Sequence, residues 1–416
     1  MKKIMTGFFG MALSLSAMAS NMTAPIMLPS AMVLPKGVRN FNFKGAITTP
    51  DSIFKKDGEK AGLANPMNLD ITGRDIILGK DNNFDKAGVI QKLRAIGVDQ
   101  DTVIAKSIGQ INGTVTVSAP ILAWGLTAKW TTAIVVPIKR YSLNIDTGVD
   151  QTNKEVISML KNQLAEDGQG KEVEELLRKL EDPIRWKARD YNYQEIPMLE
   201  EQTQLGDIQL VNKYQILNTP FQRVVLSGGI TLPTGKEMVV DKLVNIAGGD
   251  GQTDLSFGVN HDFMINKYLT LSTGVAYTLQ FSDTVARRMP EQAKSLIGRE
   301  TDSEISRDLG DIMGANVATT FNYRGAAVGV GYSFQHKGKD SYEGNSFEAQ
   351  RYTWLAKDSE QNMHSVLTKI GYDTITLYKE GKFVAPLGIS LTHTRILAGK
   401  NVVKNPLTTL DISMFF

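Results

Sequence analysis

The chain of 416 residues contains no cysteine and only four histidines. Without cysteine it can form no disulfide bond, no thiolate nucleophile and no cysteine-bound metal centre. The GxSxG and P-loop motifs are also missing. We therefore expect no enzyme, no metal site and no cofactor, although a serine or carboxylate site assembled across several strands stays open. The four histidines have neither HxH nor HxxxH spacing and are His261, His336, His364 and His393.

An excess of charge of either sign is absent as well. The sequence has 46 basic and 44 acidic residues, and two of the basic ones, Lys2 and Lys3, lie at the N-terminus. Without those two lysines, 44 basic residues balance 44 acidic residues. A balanced chain has no general electrostatic attraction for nucleic acid, so we expect no nucleic-acid partner.

Long apolar runs are missing except near the N-terminus. Two lysines precede the run Ile4–Leu15, and small residues, Ala17 and Ala19, follow it. This order is typical of a secretory signal peptide, which we assign to residues 1–19; a buried N-terminal helix is the alternative. Beyond it, no run of about 18 apolar residues could cross a bilayer as a helix. We expect export into the envelope of a Gram-negative bacterium, with residues 20–37 in the periplasm.

The C-terminal stretch PLTTLDISMFF alternates between two faces with a period of two residues, which is typical of a strand. Its mainly polar face carries Leu407, Thr409, Asp411, Ser413 and Phe415. Its apolar face carries Thr408, Leu410, Ile412, Met414 and Phe416. Both a soluble β-sandwich and a membrane barrel use such strands, so this stretch alone leaves both folds open.

The connections between strand-like stretches favour the barrel. About twelve such stretches follow one another, and tight turns alternate with long loops, as in outer-membrane barrels with short periplasmic turns. We count Ile111–Thr127, Trp130–Ile145 and His364–Tyr378 as single strands. The fold class predicted is an all-β antiparallel transmembrane barrel of about twelve strands over residues 38–416. Its long extracellular loops include partly helical inserts at about 50–108 and 150–204.

The second insert contains apolar residues at helical spacing, interrupted by DGQG and ended by Pro183. We interpret it as an extracellular helical hairpin whose apolar stripe first captures a greasy ligand. The alternative is a stripe that only packs against other loops. The capture candidates are Val156, Leu160, Leu164, Val173, Leu176, Leu177 and Leu180.

Charged residues also occur on the strand faces that we assign to the lumen. One interpretation is a polar track or gate that handles a substrate head group, and the other is a set of ion pairs that brace a filled lumen. The lumen-lining candidates are Lys44, Asp207, Lys213, Arg223, Asp254, Asp262, Lys369, Asp373 and Asp411.

Prolines inside strands remove ladder hydrogen bonds. Pro120 and Pro137 fall in the consecutive second and third strands, where they predict a weak seam and a lateral exit from lumen to membrane, unless each lies near a strand end. Gly228 and Gly229 are further lateral-opening candidates because a glycine pair favours a β-bulge.

Three segments between Leu205 and Phe281 carry a family resemblance: LGDIQLVNKY, LSGGITLPTGK and GDGQTDLSFGVNHDF. In this order they resemble the outer-membrane family called the MetA-pathway of phenol degradation family, which is similar to the FadL-type transporters of hydrophobic compounds. The resemblance implies an outer-membrane barrel that passes small hydrophobic or aromatic molecules.

The expected partners follow from this interpretation: outer-membrane lipid, a small hydrophobic ligand, and the outer-membrane assembly machinery, which reads a C-terminal strand such as the one ending at Phe416. Gated passive diffusion is the function we predict. A barrel that transports nothing and binds a partner or surface through its extracellular helical loops is the alternative.

Overall fold

The computed structural model describes residues 30–68, 70–72, 101–150, 181–291 and 298–416, with a few single positions between these ranges. No helix in the described ranges is long and apolar enough to cross a membrane. The helices are α1 Pro183–Asp190, α2 Ala349–Leu355 and α3 Ile375–Lys379, and a 3-10 turn spans Asn65–Met67. In chain order, the strands are β1 Arg39–Thr48, β2 Ser52–Phe54, β3 Lys60–Gly62, β4 Asp70–Thr72, β5 Val103–Gly125, β6 Trp130–Val135, β7 Ile138–Asp150, β8 Leu199–Leu205, β9 Ile208–Asn218, β10 Gln222–Leu232, β11 Asp254–Met264, β12 Leu269–Gln280, β13 Asp283–Arg288, β14 Thr301–Asp308, β15 Ile312–Tyr323, β16 Ala326–Lys337, β17 Ser341–Glu343, β18 Gln361–Asp373, β19 Leu387–Lys400, β20 Val402–Lys404 and β21 Leu407–Phe415.

Within the described residues, twelve antiparallel strands close into a barrel. Closure takes place at β1, which pairs with β21 on one side and with β5 on the other, so that Phe43 lies between Ile412 and Pro120. The prediction of a barrel of about twelve antiparallel strands is therefore confirmed. The order around the barrel is β1, β5, β6, β9, β10, β11, β12, β15, β16, β18, β19 and β21.

The outer surface of the barrel is an apolar belt. Large side chains that point outward are about half exposed, among them Phe257 at 53% and Val275 at 58%. A continuous apolar surface of this kind is unfavourable in water, whereas a barrel in a bilayer requires it. The closing strand follows the predicted alternation, because Leu410 and Ile412 are exposed on the outside while Asp411 faces the lumen.

Short connections lie at one end of the barrel, which in outer-membrane barrels is the periplasmic end. Four of them are the turns 126–129, 219–221, 265–268 and 324–325. Arg324 and Gly325 both have positive φ, at 49° and 88°, which matches the backbone twist of a two-residue hairpin. The long connections, including all of the small outer sheets, lie at the opposite, external end.

The fifth periplasmic connection differs from the prediction, because TITLY is a helix and not the end of a strand. Strand β18 ends at Asp373, whose carboxylate accepts the N–H of Ile375 at 3.1 Å. The N–H of Tyr378 then donates to the carbonyl of Thr374 at 2.8 Å. Alternation over five residues is too short to distinguish the two states, and this local capping favours the helix α3.

The second and third predicted strands also have different bounds. The second, β5, begins at Val103 and continues outward beyond the barrel, where it pairs with β7. The third is divided at Pro137 into β6 and β7, since proline has no N–H to donate to the ladder. Two backbone bonds bridge this break: Val136 N–H donates to Pro120 at 3.1 Å, and Gly206 N–H donates to Pro137 at 2.7 Å.

Two small sheets that the sequence did not predict cover the external end. One consists of β2, β3 and β20, and the other of β13, β14 and β17. We call the second sheet together with α2 the outer lobe. Its own apolar core includes Val285, Met289, Ile305, Tyr342 and Leu355. The strands of both small sheets are short and lie among polar residues. Their alternation of apolar and polar residues is therefore too brief to predict them from the sequence.

Asp302 is the hydrogen-bond centre of the outer lobe. Its carboxylate accepts the hydroxyl of Tyr352 at 2.5 Å, the hydroxyl of Ser346 at 3.2 Å and the N–H of Glu304 at 3.1 Å. Burial acts to raise the pKa of Asp302, but these three hydrogen bonds outweigh it and lower the pKa below the ordinary value of 3.8. The ionised form therefore stabilises the lobe.

We predict that the outer lobe opens in acid. Because the pKa of Asp302 is lower in the folded than in the unfolded state, its contribution is present above about pH 4 and is lost as the pH falls further. The protection factors of the β14 and α2 amides, corrected for the fall of the intrinsic exchange rate with pH, should drop severalfold between pH 5 and pH 3, while those of the barrel strands stay unchanged. Asp302→Asn should show fast exchange at both pH values. Asp308→Asn, at an exposed position of the same strand, should behave like the intact protein; a similar loss there would contradict the assignment.

Candidate functional site

Charged side chains from β1, β18 and β21 meet inside the middle of the barrel. Lys44 and Asp411 are register partners, and Lys44 Nζ lies 3.3 Å from Asp411 Oδ2. Asn42 Nδ2 donates to the other carboxylate oxygen at 2.6 Å. Lys369 is close enough to interact electrostatically with both Lys44 and Asp411. This central charge cluster joins three strands, and hydrogen bonding offsets the cost of removing its charges from water.

A second group of inward residues lies toward the periplasmic end and holds a piece of chain in the lumen. Lys213 Nζ donates to the carbonyl of Ser30 at 3.0 Å, and Gln215 Nε2 donates to that of Ala31 at 2.9 Å. The N–H of Ala31 donates to Asp262 Oδ2 at 2.9 Å. Ala31 is fully buried by these contacts. We call residues 30–38 the luminal segment.

The luminal segment continues along the inside of the wall to the start of β1. The N–H of Leu34 donates to Thr131 Oγ1 at 2.7 Å, and that of Gly37 donates to the carbonyl of Gly125 at 2.8 Å. A side chain at Gly125 would lie 2.0 Å from the carbonyl oxygen of Pro35, so the segment approaches the wall where only glycine fits. The described part of the segment therefore narrows the periplasmic end of the lumen.

The other lumen-lining candidates in the periplasmic half of the barrel lie next to the luminal segment or at the periplasmic rim. Asp262 Oδ1 accepts the hydroxyl of Ser272 at 2.7 Å, and Arg223 is the register partner of Asp262 on β10. Asp373 lies apart from them at the periplasmic rim, where it accepts the Ile375 N–H. Lys213 interacts electrostatically with both Asp262 and Lys44, which links this group to the central charge cluster.

Asp207 and Asp254 lie at the external end, next to the loop 233–253. Asp207 accepts the N–H of Gly235 at 2.8 Å and that of Asp250 at 3.2 Å. A side chain at Gly249 would lie 2.2 Å from the Asp207 oxygens, so this glycine allows the loop to approach the carboxylate. Through these contacts the loop folds inward over the barrel mouth. Asp254 is buried beside it, and one of its oxygens has no hydrogen-bond partner among the described residues.

An apolar core, which we call the roof cluster, lies at the external end of the lumen. It includes inward side chains of β5 and β7 together with Ile246 of the inward loop. Ala46 and Leu407 also contact it from the inner face of β1 and β21, so the cluster lies directly above the lumen. Burial of each large apolar side chain contributes roughly 1.5–3 kcal/mol. Its main members are Leu63, Met67, Ile111, Val115, Val117, Tyr141, Leu143, Ile145, Ile184, Val244, Ile246 and Val403.

Polar bonds fix the inward loop to the strands and to the outer lobe. Gln204 Nε2 donates to the carbonyl of Ile246 at 2.6 Å. Arg307, whose side chain is 2% exposed, donates to both carboxylate oxygens of Asp283 at 2.8 and 2.5 Å and to the carbonyl of Asp250 at 2.5 Å. One buried guanidinium therefore connects the outer lobe with the loop that covers the lumen.

The lateral-opening candidates have different surroundings. Pro120 and Pro137 lie together at the break between β6 and β7, in the wall beneath the roof cluster. Gly228 and Gly229 stay in register with β9 and β11, so the bulge predicted there is wrong. The irregular step is at Val224/Val225 instead. Gly228 is paired with Asn212 and Phe257, so the ladder continues without an inserted residue at the glycines. Sequence alone does not locate the inserted residue.

The other sequence candidates do not form a site in the described residues. The capture candidates Val156, Leu160, Leu164, Val173, Leu176, Leu177 and Leu180 lie outside them. All four histidines lie on outward faces, and His364, for example, accepts or donates a 2.6 Å bond with the Tyr332 hydroxyl. No group of three or more His, Asp or Glu side chains in the described part of the chain is placed to hold a metal ion.

Sequence reasoning missed the luminal segment and the inward loop. The first has no periodic pattern, and its partners Lys213 and Asp262 are distant in sequence. The second carried a signal in its glycines, since Gly248, Gly249 and Gly251 allow close backbone approach. Arg307 had no local signal, because only folding brings it to Asp283.

We predict that Lys44 and Asp411 contribute to stability as a unit. Lys44→Met should lower the free energy of unfolding by about 2 kcal/mol, since it removes one of the cations near a largely buried carboxylate. Asp411→Leu should cost a similar amount, and the double variant should cost less than the sum, because the uncompensated partner is gone. Urea unfolding of the purified barrel in detergent measures all three. Additive effects would show that the pair is not coupled.

No family model matches the chain, and no curated protein sequence matches it. Among solved structures, the COG4313 outer membrane channel from Pseudomonas putida F1 is similar with a TM-score of 0.53 at 12% identity, over 94% of this chain and 100% of that one. A Pseudomonas aeruginosa FadL homologue has a TM-score of 0.33 at 8% identity, over 100% of this chain and 98% of that one. The Ralstonia pickettii toluene transporter TbuX has a TM-score of 0.32 at 12% identity, over 92% of this chain and 90% of that one. The last two similarities are too weak to support an argument, whereas the first shows that this chain has the fold of an outer-membrane channel.

Proposed function

We propose that the protein is an outer-membrane channel through which small hydrophobic or aromatic compounds pass by gated passive diffusion. The observation that carries this proposal is the roof cluster. It places a packed apolar core, which includes aromatic side chains, at the barrel mouth, where a porin for polar solutes would present polar groups and water. When the loop 233–253 moves and opens this core, a small apolar molecule gains free energy by entering it from water.

The route we propose runs from the roof cluster into the lumen and past the luminal segment. The capture stripe Val156–Leu180 would bring the ligand to the mouth. In the lumen, Lys44 and Asp411 form an ion pair, which lowers the cost of passing these two charges for a neutral ligand. The luminal segment is the gate, because Lys213, Gln215 and Asp262 hold it with hydrogen bonds that can exchange with water.

A lateral exit is a further part of the proposal. The wall between β6 and β7 is interrupted at Pro137, and single hydrogen bonds from Val136 and Gly206 bridge the break. A ligand that leaves here enters the membrane without passing the luminal segment. Gly228 and Gly229, which lie in a regular ladder, contribute less to such an opening.

Export and assembly into the outer membrane are the last part of the proposal. The predicted signal peptide, residues 1–19, would export the chain, and the assembly machinery would recognise the strand that ends at Phe416. The P. putida channel supports the proposal through its fold and through its description as an outer membrane channel. We propose no catalytic role.

Locking the roof tests the function. Because the chain has no cysteine, Gln204→Cys with Ile246→Cys introduces the only thiols. We predict that expression of the intact chain raises uptake of N-phenyl-1-naphthylamine by intact cells severalfold. The oxidised variant should lose this increase, since the loop 233–253 can no longer move, and reductant should restore it.

A disulfide placed elsewhere on the external surface is the matched control. Ser52→Cys with Lys404→Cys joins two register partners of β2 and β20 and should leave dye uptake unchanged under oxidation. If the intact chain neither increases dye uptake nor conducts single-channel current in planar bilayers, transport is rejected. The non-transporting barrel, which binds a partner through its extracellular loops, would then be the better hypothesis.

Locking the luminal segment tests the route. We predict that Ala31→Cys with Gln215→Cys, which replaces a hydrogen-bonded pair, blocks dye uptake when oxidised and recovers in reductant. Lys213→Ala should have the opposite effect and raise uptake, because one bond to the segment is lost. Lys56→Ala, an exposed external lysine, should change neither. Full uptake through the oxidised variant would rule out the luminal route and favour the lateral exit.

A further inference from the structure

The periplasmic rim carries an excess of positive charge that transport does not explain. Among the described residues of the rim, the acidic side chains are Asp373, which caps α3, and Glu380, which pairs with Lys382 at 2.8 Å. The basic residues at this end, all exposed, are Lys36, Arg39, Lys129, Lys267, Arg324, Lys379 and Lys382.

Two of these cations lie side by side on a shared aromatic surface. Lys267 Nζ lies 4.8 Å from the ring centre of Tyr268, and the Arg324 guanidinium lies 5.4 Å from that of Tyr323. The two tyrosine rings are 5.7 Å apart, and Tyr268 also packs on Phe321 at 6.0 Å. We call Lys267, Tyr268, Tyr323 and Arg324 the rim clamp.

The turns that carry the rim clamp are rigid. Asn266 Oδ1 accepts the N–H groups of Tyr268 and Leu269 at 2.8 and 2.9 Å, which fixes the first turn. Arg324 and Gly325 form the two-residue hairpin with positive φ described above. The cations are therefore presented by ordered backbone, so that little conformational entropy is lost when a ligand binds.

Neither cation of the rim clamp is neutralised within the described residues. Lys267 and Arg324 have no ion pair there, whereas Lys382 at the same rim is paired with Glu380. Their contacts with the aromatic rings orient the charges but leave the N–H donors free. The two cations lie above an apolar aromatic surface that faces outward. This arrangement matches the phosphate group of a phospholipid whose acyl chains extend along the barrel wall.

We propose that the rim clamp binds the phosphate head group of an anionic phospholipid in the periplasmic leaflet. The aromatic rings contact the glycerol and upper acyl region, and Lys267 and Arg324 bind the phosphate oxygens. The inference rests on the barrel and its orientation and does not depend on what the channel transports.

The test uses the full chain in nanodiscs of phosphatidylcholine, with and without phosphatidylglycerol. For the intact protein, phosphatidylglycerol should raise the melting temperature, and native mass spectrometry should detect one tightly retained phosphatidylglycerol. In Lys267→Gln with Arg324→Gln, the apparent affinity should fall about thirtyfold, which corresponds to about 2 kcal/mol, since each basic residue near an anionic surface contributes about 1 kcal/mol.

The control variant removes the same charge from the same rim. Lys379→Gln with Lys382→Gln should keep the phosphatidylglycerol effect. An equal loss in both variants would mean a general charge effect and overturn the proposal. Protection of the detergent-solubilised protein by inorganic phosphate alone would also overturn it, in favour of a free-anion site. The single variant Lys267→Gln should lose part of the affinity for phosphatidylglycerol. A heat-dependent shift in gel mobility checks that each variant barrel is folded.

Discussion

The pairing of β1 with both β5 and β21 leaves no free strand edge in the part of the sheet that lies in lipid. A bilayer offers no hydrogen-bond partner to an unpaired N–H or C=O group, so this closure is the condition for the whole architecture. Once the backbone groups are satisfied in this way, side chains alternate strictly between lipid and lumen. Phe41 and Phe43 can face lipid only because Asn42 and Lys44 face inward on the same strand. The polarity of the lumen is thus a consequence of how the barrel closes.

The charges that the alternation directs inward need partners, and the structure finds them at three levels. Lys44 and Asp411 pair across neighbouring strands, Lys213 and Asp262 hold the luminal segment, and Asp207 accepts two N–H groups of the inward loop. The predicted alternatives for these residues, a polar track and a brace of ion pairs, therefore overlap. The central charge cluster braces the wall, whereas the lower group secures a piece of chain that lies in the path of a ligand.

The sequence predicts what alternation and turn spacing determine, and little else. The barrel, its approximate strand number and the lipid face of β21 follow from period-two patterns that continue over about ten residues each. The pattern does not distinguish α3 from a strand end, because Ile375 and Leu377 provide only one repeat. The pattern also does not show that the third predicted strand is divided into β6 and β7. It contains no sign of the outer lobe. The contacts of the luminal segment join Ala31 to Asp262, which are 231 residues apart, so no local signal encodes them.

An apolar ligand and a charged lumen are poorly matched, and the distribution of side chains along the barrel axis addresses this conflict. Apolar side chains are packed together in the roof cluster at the barrel mouth, and Lys44 and Asp411 form an ion pair below it. The free energy gained at the roof must not be too large, since a ligand that binds tightly does not leave. Pro120 is the register partner of Phe43, next to Lys44, and Val136 N–H donates to its carbonyl, so both prolines lie in the wall beside the central charge cluster. A break here would let a ligand leave the lumen sideways, beside the paired charges, before it reaches the luminal segment, and this position of the prolines supports a lateral exit.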